Sequence, residues 1–441
     1  MLEEIVRKAK EKLAGYDWEI FYFKNKKLKS ESNDLKIDKL TASEDVGFSI
    51  RVIKSGRQGF SYSTTLDKDS VEFAIQSAKG LCDIATEEED IILNDRLEKG
   101  NEIEYFDTFA VNLPVEEKIE KAIELERLVR TLNDRIKSVR SSTFTENIYE
   151  KILINSLGIE VKEIGTVYSA KVSAVATDGR DSQIAWSYNA KRFISDLNLE
   201  EIAKEAVFNS TSLLGATTVS TKNMYVLFPP YAMVELLDAF SYPFLADALI
   251  KGKTLFKDKI GQKVAYEEIT IVDNGILEKG LMSSTYDAEG VLKRKNILIE
   301  KGVLNGFLHN LHTAKKLGAL PTGNSVRSDF RTLPTVGITN FYIENGKQNI
   351  KDVISELDEI FYVIDMMGLH TADPISGDFS LGVNGLIISR GEIVKAVRGA
   401  TLSGNFIELL QKVISVGDDL KFYGNLGSSS ILVENLTIAG D

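Results

Sequence analysis

Three histidines, one cysteine and a few spaced carboxylates are the side chains of this chain that could do chemistry. His309 and His312 lie three apart in FLHNLHTAKK and could share one helix face. A metal held there would need acidic ligands, and the flanks offer none, so both are expected at the surface or a rim. His370 stands alone in GLHTADP and reads as a loop or core histidine. Cys82, in the apolar helical context AIQSAKGLCDIA, reads as a small buried hydrophobe. No set of Cys and His has zinc-site spacing. Asp287 and Glu289 are two apart in TYDAEGV. In a strand they would share a face and could pair for acid–base work. The favoured alternative is a turn anchor ahead of Gly290. Ser376–Gly385 is rich in glycine but lacks the Lys-Ser/Thr ending of a phosphate loop, so it reads as strand turns. Asp178 and Arg180 merely flank a hairpin tip.

The elements that must position these residues give an α+β pattern. The first helix, MLEEIVRKAKEKLAG, repeats apolar residues at helical spacing. Val46, Phe48, Ile50 and Val52 alternate with Gly47, Ser49 and Arg51, the pattern of a half-buried strand. Lys54–Arg57 supplies a turn and Gln58–Ser63 the return strand of a hairpin. Residues Lys68–Cys82 read as helix, and a second strong helix begins after Pro114. From Ser138 the chain turns to strands, with a hairpin signal at Asp178-Gly179 and a helix near Leu199–Ser212. The apolar strand MYVLF ends at Pro229-Pro230, which suggests a boundary. Beyond a helix over 231–252, which Pro243 should kink or restart because it lacks a donor N–H, come short strands, with a helix near Phe406–Val416. The expected organisation is an N-terminal α/β region over 1–220, with sub-regions at about 1–85 and 115–220. A large, mainly antiparallel β-rich domain follows over 221–441.

Composition narrows the function classes. A length of 441 residues favours more than one domain. A net charge of −12 makes nucleic acid an unfavourable partner. No apolar run approaches the ~18 residues of a membrane span. A single cysteine excludes an internal disulfide framework and fits a reducing compartment. The start lacks the features of a signal peptide, so a cytoplasmic location is expected. The acidic run Glu87–Asp90 reads as a solvated loop.

Ordered motifs through nearly the whole chain resemble the TldD/PmbA family, also called the modulator of DNA gyrase family. They are Val46-Gly47-Phe48 with Arg51, Gly56 to Phe60, Gly261-Gln262-Lys263-Val264, Asp273 with Gly275, and Tyr286-Asp287-Ala288-Glu289-Gly290. Then come Ile299 to Leu304, Thr313-Ala314, Pro321-Thr322-Gly323-Asn324, Ser376 to Ser380, Ile388 to Glu392 and Leu402-Ser403-Gly404-Asn405.

The resemblance carries an implied chemistry. TldD-type members hold zinc on a His-Glu-x-x-x-His helix plus a distant cysteine, and a carboxylate activates the bound water. Those positions fall here on Leu237, Asp238 and Tyr242, and the cysteine position on Asn425–Ser428. None of the zinc ligands is present. The chain therefore resembles the other kind of member, PmbA or TldE, with no catalytic and no metal residues of its own. Zinc is expected only in a TldD-type partner subunit. By resemblance the two chains enclose a cavity in which unfolded peptides are cut, and Thr322, Gly323 and Asn324 either line its cleft or form a structural turn. Two alternatives stay open. One is a homodimer that binds peptides without cutting them. The other is an autonomous peptidase working without zinc through Asp238, Asp287 and Glu289. The degenerate helix is apolar on most of its surface and is expected in the core.

Overall fold

The computed structural model describes residues 2–440. Six antiparallel strands form the N-terminal sheet: β1 (Asp17–Asn33), β2 (Lys36–Lys54), β3 (Arg57–Ser63), β4 (Ile136–Asn155), β5 (Glu160–Thr177) and β6 (Ser182–Lys191). Their order is β3-β2-β1-β4-β5-β6. The β1–β4 pairing, from Glu19↔Asn155 to Ser32↔Ser142, joins the two expected sub-regions in one sheet. Ser55 and Gly56, both at positive φ, make the β2–β3 turn.

Helices cover one face of this sheet. Helix α1 (Leu2–Lys12) and α2 (Lys68–Ile84) bury Ile5, Ala9, Ala74 and Ala78 against Ile20, Phe48, Ile50 and Val52. Helix α3 (Val115–Leu132) and α4 (Leu199–Ser212) do the same over β4 and β5, with Leu125, Val129, Ala203 and Ala206 against Phe144 and Val172. The alternation in β2 suggests one wet face, but both faces are covered. Gly47, Ser49 and Arg51 are buried too, because the C-terminal domain packs on that side. A Cβ on Gly47 would lie 2.3 Å from the Phe330 ring. The helix near Phe406–Val416 is shorter than expected: it ends at Gln411 and gives way to a strand, Val413–Val416. β-branched Val413, Ile414 and Val416 explain the switch.

The C-terminal domain begins with β7 (Lys222–Phe228). β7 lies between the strands Ile360–Met367, parallel to it, and Ile431–Ala439, antiparallel. Strands Asp378–Ser389 and Glu392–Asn405 continue the sheet, and Thr401↔Ala439 pairing closes it into a barrel. The glycine-rich segment near 376–385 lies largely within one of these strands. A second sheet orders Val303–Leu304, Lys295–Glu300, Ile271–Asn274, Phe341–Ile343, Leu426–Ser428 and Lys421–Tyr423. One apolar core joins barrel and sheet. No helix among the described residues is long and apolar enough to cross a membrane.

Candidate functional site

The helical segment expected over 231–252 is broken near Pro243, the residue expected to kink it or to start a second stretch. Helix α5 covers Pro230–Ala239, a 3₁₀ turn covers Tyr242–Phe244, and a short helix covers Ala246–Ile250. Pro230 at the first turn suits a helix start. Pro243 cannot donate to a preceding carbonyl and sits at the start of the 3₁₀ turn, so the backbone bends there.

The break separates Tyr242 from Leu237 and Asp238. The Leu237 side chain is fully buried in the core cluster. Asp238, next along α5, is exposed. Tyr242 lies beyond the break, its hydroxyl 3.4 Å from Asp247 Oδ2. The strand Leu426–Ser428 packs against α5, so the fold brings the cysteine position to the same helix. Ser428 there is buried and donates to the Ser429 carbonyl at 2.7 Å. A hydrocarbon, an exposed carboxylate, a phenol and a committed hydroxyl do not make a zinc site, and these residues do not fit the ion. The space around Leu237 is filled by aromatic rings: Phe240 stacks on Phe406 with centroids 4.4 Å apart. Cys82 is far along the chain, on the buried face of α2, and burial pushes its thiol up.

Asp287 and Glu289 are both buried, and neither is free. Asp287 Oδ1 accepts from the Glu289 and Val291 amides at 2.8 and 3.0 Å, and Oδ2 from the Ser325 amide at 3.0 Å. That is the turn-anchor arrangement. Burial, with the Glu289 charge adding, pushes Asp287 up to about 7. Glu289 Oε2 accepts from the Leu311 amide at 3.1 Å, and Oε1 faces Arg51 Nη1 at 3.4 Å.

Thr322, Gly323 and Asn324 form a strut under the second sheet. Thr322 Oγ1 accepts from the His309 amide at 2.7 Å, and Asn324 Nδ2 donates to Asp273 Oδ1 at 2.7 Å. Gly323 has a φ of +77°, and a Cβ there would lie 2.6 Å from the Leu292 carbonyl oxygen. The backbone therefore requires glycine. Asp273 is fully enclosed, and burial pushes it up to about 6 against its hydrogen bonds.

Two histidine expectations change. His309 is buried rather than at a rim, and burial pulls its ring down. His312 does have an acidic partner: its Nε2 is 2.9 Å from Glu88 Oε1, which also meets Lys316 at 2.7 Å. Glu88 comes from the acidic run 224 residues earlier, which spacing along the chain could not reveal. His370 is exposed in a 3₁₀ turn.

Sequence reasoning missed a row of buried charges between the domains. Arg51 meets Glu289, Arg327 meets Glu19, and Arg192 Nη2 donates to the Ser283 carbonyl at 3.0 Å. The available signal was Glu19 and Arg51 at polar positions of otherwise apolar strands. Nothing in the local sequence marks Arg327.

Three consecutive family models match this chain: PmbA/TldA metallopeptidase domain 1 over residues 18–82, the central domain over 111–214 and the C-terminal domain over 221–440. The chain belongs to the PmbA/TldD family. Among PmbA/TldD relatives, it is 28% identical to a metalloprotease TldD homolog of Buchnera aphidicola, covering 90% of this chain and 87% of that one. The crystal structure of a Thermotoga maritima protein described as a modulator of a DNA gyrase superposes with a TM-score of 0.91 at 28% identity, covering all of both chains. TldE of Thermococcus kodakarensis shares the fold with a TM-score of 0.91 at 24% identity, again over all of both chains. Membership explains why two domains and a barrel-bearing third recur in this order.

Proposed function

We propose that this chain is the TldE-like, non-catalytic subunit of a TldD/TldE-type peptidase. It forms one wall of a cytoplasmic cavity in which a zinc-bearing partner cuts or trims unfolded peptides. The observation that carries this reading is Leu237, a hydrocarbon sealed into the core where the family's first histidine falls. Asp238 is exposed, Tyr242 lies beyond the break, and the stretch Asn425–Ser428 holds no thiol. A chain so built cannot generate a metal-bound hydroxide, but its fold, shared with TldE, is intact. Without a partner it forms a homodimer, the commonest closed assembly.

Mixing the purified chain with a TldD-type partner tests this. Unfolded peptides should be cut only by the mixture, and a chelator should stop the cleavage. Peptide cleavage by the isolated chain that survives chelation would overturn the proposal, as would full activity of the partner alone.

A further inference from the structure

Between the N-terminal sheet and the C-terminal domain lies a cavity of about 60 Å³. One water needs about 10–15 Å³ measured this way, so the space fits several waters or one small polar group. Its wall carries Lys151, Glu163, Asp287, Lys293, Ser325 and Arg327. Three carboxylate oxygens in this set are committed. Both Asp287 oxygens take backbone amides, and Glu163 Oε1 takes the Tyr149 hydroxyl at 2.6 Å with Lys151 Nζ at 3.8 Å.

The donors are not. The Arg327 side chain is 1% exposed. It pairs with Glu19 through Nη2 and lies over the Phe21 ring, 4.8 Å from its centroid. Its Nε and Nη1 are buried and have no partner. The buried Ser325 Oγ has none either. Lys293 Nζ donates to the Met282 carbonyl at 2.8 Å, which leaves two of its protons. Buried ion pairs are tolerated when their remaining protons are satisfied, and here they are not.

The charges around the space point the same way. Lys151, Lys293, Arg192 and Arg327 are the cations; Glu19, Glu163 and, in part, Asp287, which burial pushes up to about 7, are the anions. The balance favours an anionic guest.

We infer that this interdomain cavity binds a single carboxylate group, held by Arg327, Ser325 and Lys293. The site lies apart from α5 and does not depend on the zinc-partner reading. The carboxylate could belong to a free small acid or to a peptide C-terminus; the recognition chemistry is the same.

Titration calorimetry on the full chain tests this, with sodium acetate, a short peptide with a free C-terminus, and the same peptide amidated. Sodium chloride at equal ionic strength is the reference. Saturable binding of acetate or of the free-acid peptide, with none of the amide, is expected. Binding of acetate alone assigns the site to small acids, and binding of the free-acid peptide assigns it to chain ends. Arg327→Lys should weaken that binding about tenfold or more. Should Arg327→Lys not fold, Ser325→Ala carries the test and should weaken binding about threefold to tenfold. The inference fails if no probe binds above chloride, if the amidated peptide binds as well as the acid, or if neither variant changes affinity. A crystal structure grown in acetate with only water in the cavity also overturns it.

Discussion

Arg51 Nη1 and Glu289 Oε1 meet at 3.4 Å, though 238 residues separate them in sequence, and both side chains are buried. One stands on the second strand of the chain and the other on a turn of the last domain. The contact fastens the N-terminal sheet to the C-terminal domain through two charges that water does not reach. Removing one charge strands the other. Arg51→Met should therefore destabilise the protein by about 3–5 kcal/mol, measured by urea unfolding. A double variant, Arg51→Met with Glu289→Gln, should recover part of the loss. A loss equal to the sum of the two single variants would mean the groups are uncoupled.

The buried position of Leu237 predicts the fate of attempts to rebuild a metal site. Leu237→His should lower stability by about 1–3 kcal/mol, because it buries a poorly paired polar group. Leu237→His with Asp238→Glu and Tyr242→His should still bind no stoichiometric zinc in metal analysis. The break at Phe240–Ser241 keeps the two imidazoles off one helix face, and Ser428 supplies no thiolate.

Gly47→Ala sets a methyl group against the Phe330 ring, where the ideal Cβ would be 2.3 Å away. Overpacking of this kind should cost about 1–3 kcal/mol in thermal or urea melts. Phe330→Leu in the same chain should relieve only the ring's share, because the same Cβ would lie 2.5 Å from the Ser63 carbonyl oxygen. A neutral Gly47→Ala would show that the two domains separate at little expense.

Asp287 carries a pH signature. Its folded pKa, about 7, lies above the ordinary Asp value of about 3.9. Between those values the folded state binds the proton and the unfolded state does not. Its contribution to stability is thus fully present below about pH 4 and is lost as pH rises through about 7. The Asp287→Asn variant does not titrate, so its unfolding free energy should fall less than wild type between pH 5.5 and 7.5. Equal slopes would place the Asp287 pKa outside that window.

The sequence displays its elements better than their neighbours. Helical spacing in α1 and strand alternation in β2 could be read because each depends on residues a few positions apart. The broken helix was half visible, since Pro243 announces a bend. What could not be read was what covers each face. Gly47, Ser49 and Arg51 look like a solvent face because small and charged residues suit water. They are also what a face needs when Phe330 and Glu289 arrive from the far end of the chain. His312 seemed without an acid for the same reason: Glu88 is close only in space. At the candidate site, the missing ligands were plain in Leu237 and Tyr242. The committed roles of Asp287, Glu289 and Asn324 are complete only when other segments arrive: the Ser325 and Leu311 amides for the two acids, and the Asn296 and Asp273 side chains for Asn324.

Closure of the C-terminal barrel sets an order on synthesis. Its first strand, β7, pairs with the strand Ile431–Ala439, which also meets Glu392–Asn405 to shut the ring. That strand lies about 200 residues beyond β7 in the chain. The N-terminal sheet, whose six strands are complete by Lys191, can form while more than half the chain is unmade. Until the final strand emerges, the barrel has an open edge beside β7 and the charged underside of that sheet awaits its partners. Nascent chains stalled shortly before Ile431 should therefore engage chaperones, and chains from which the strand Ile431–Ala439 has cleared the ribosome should not.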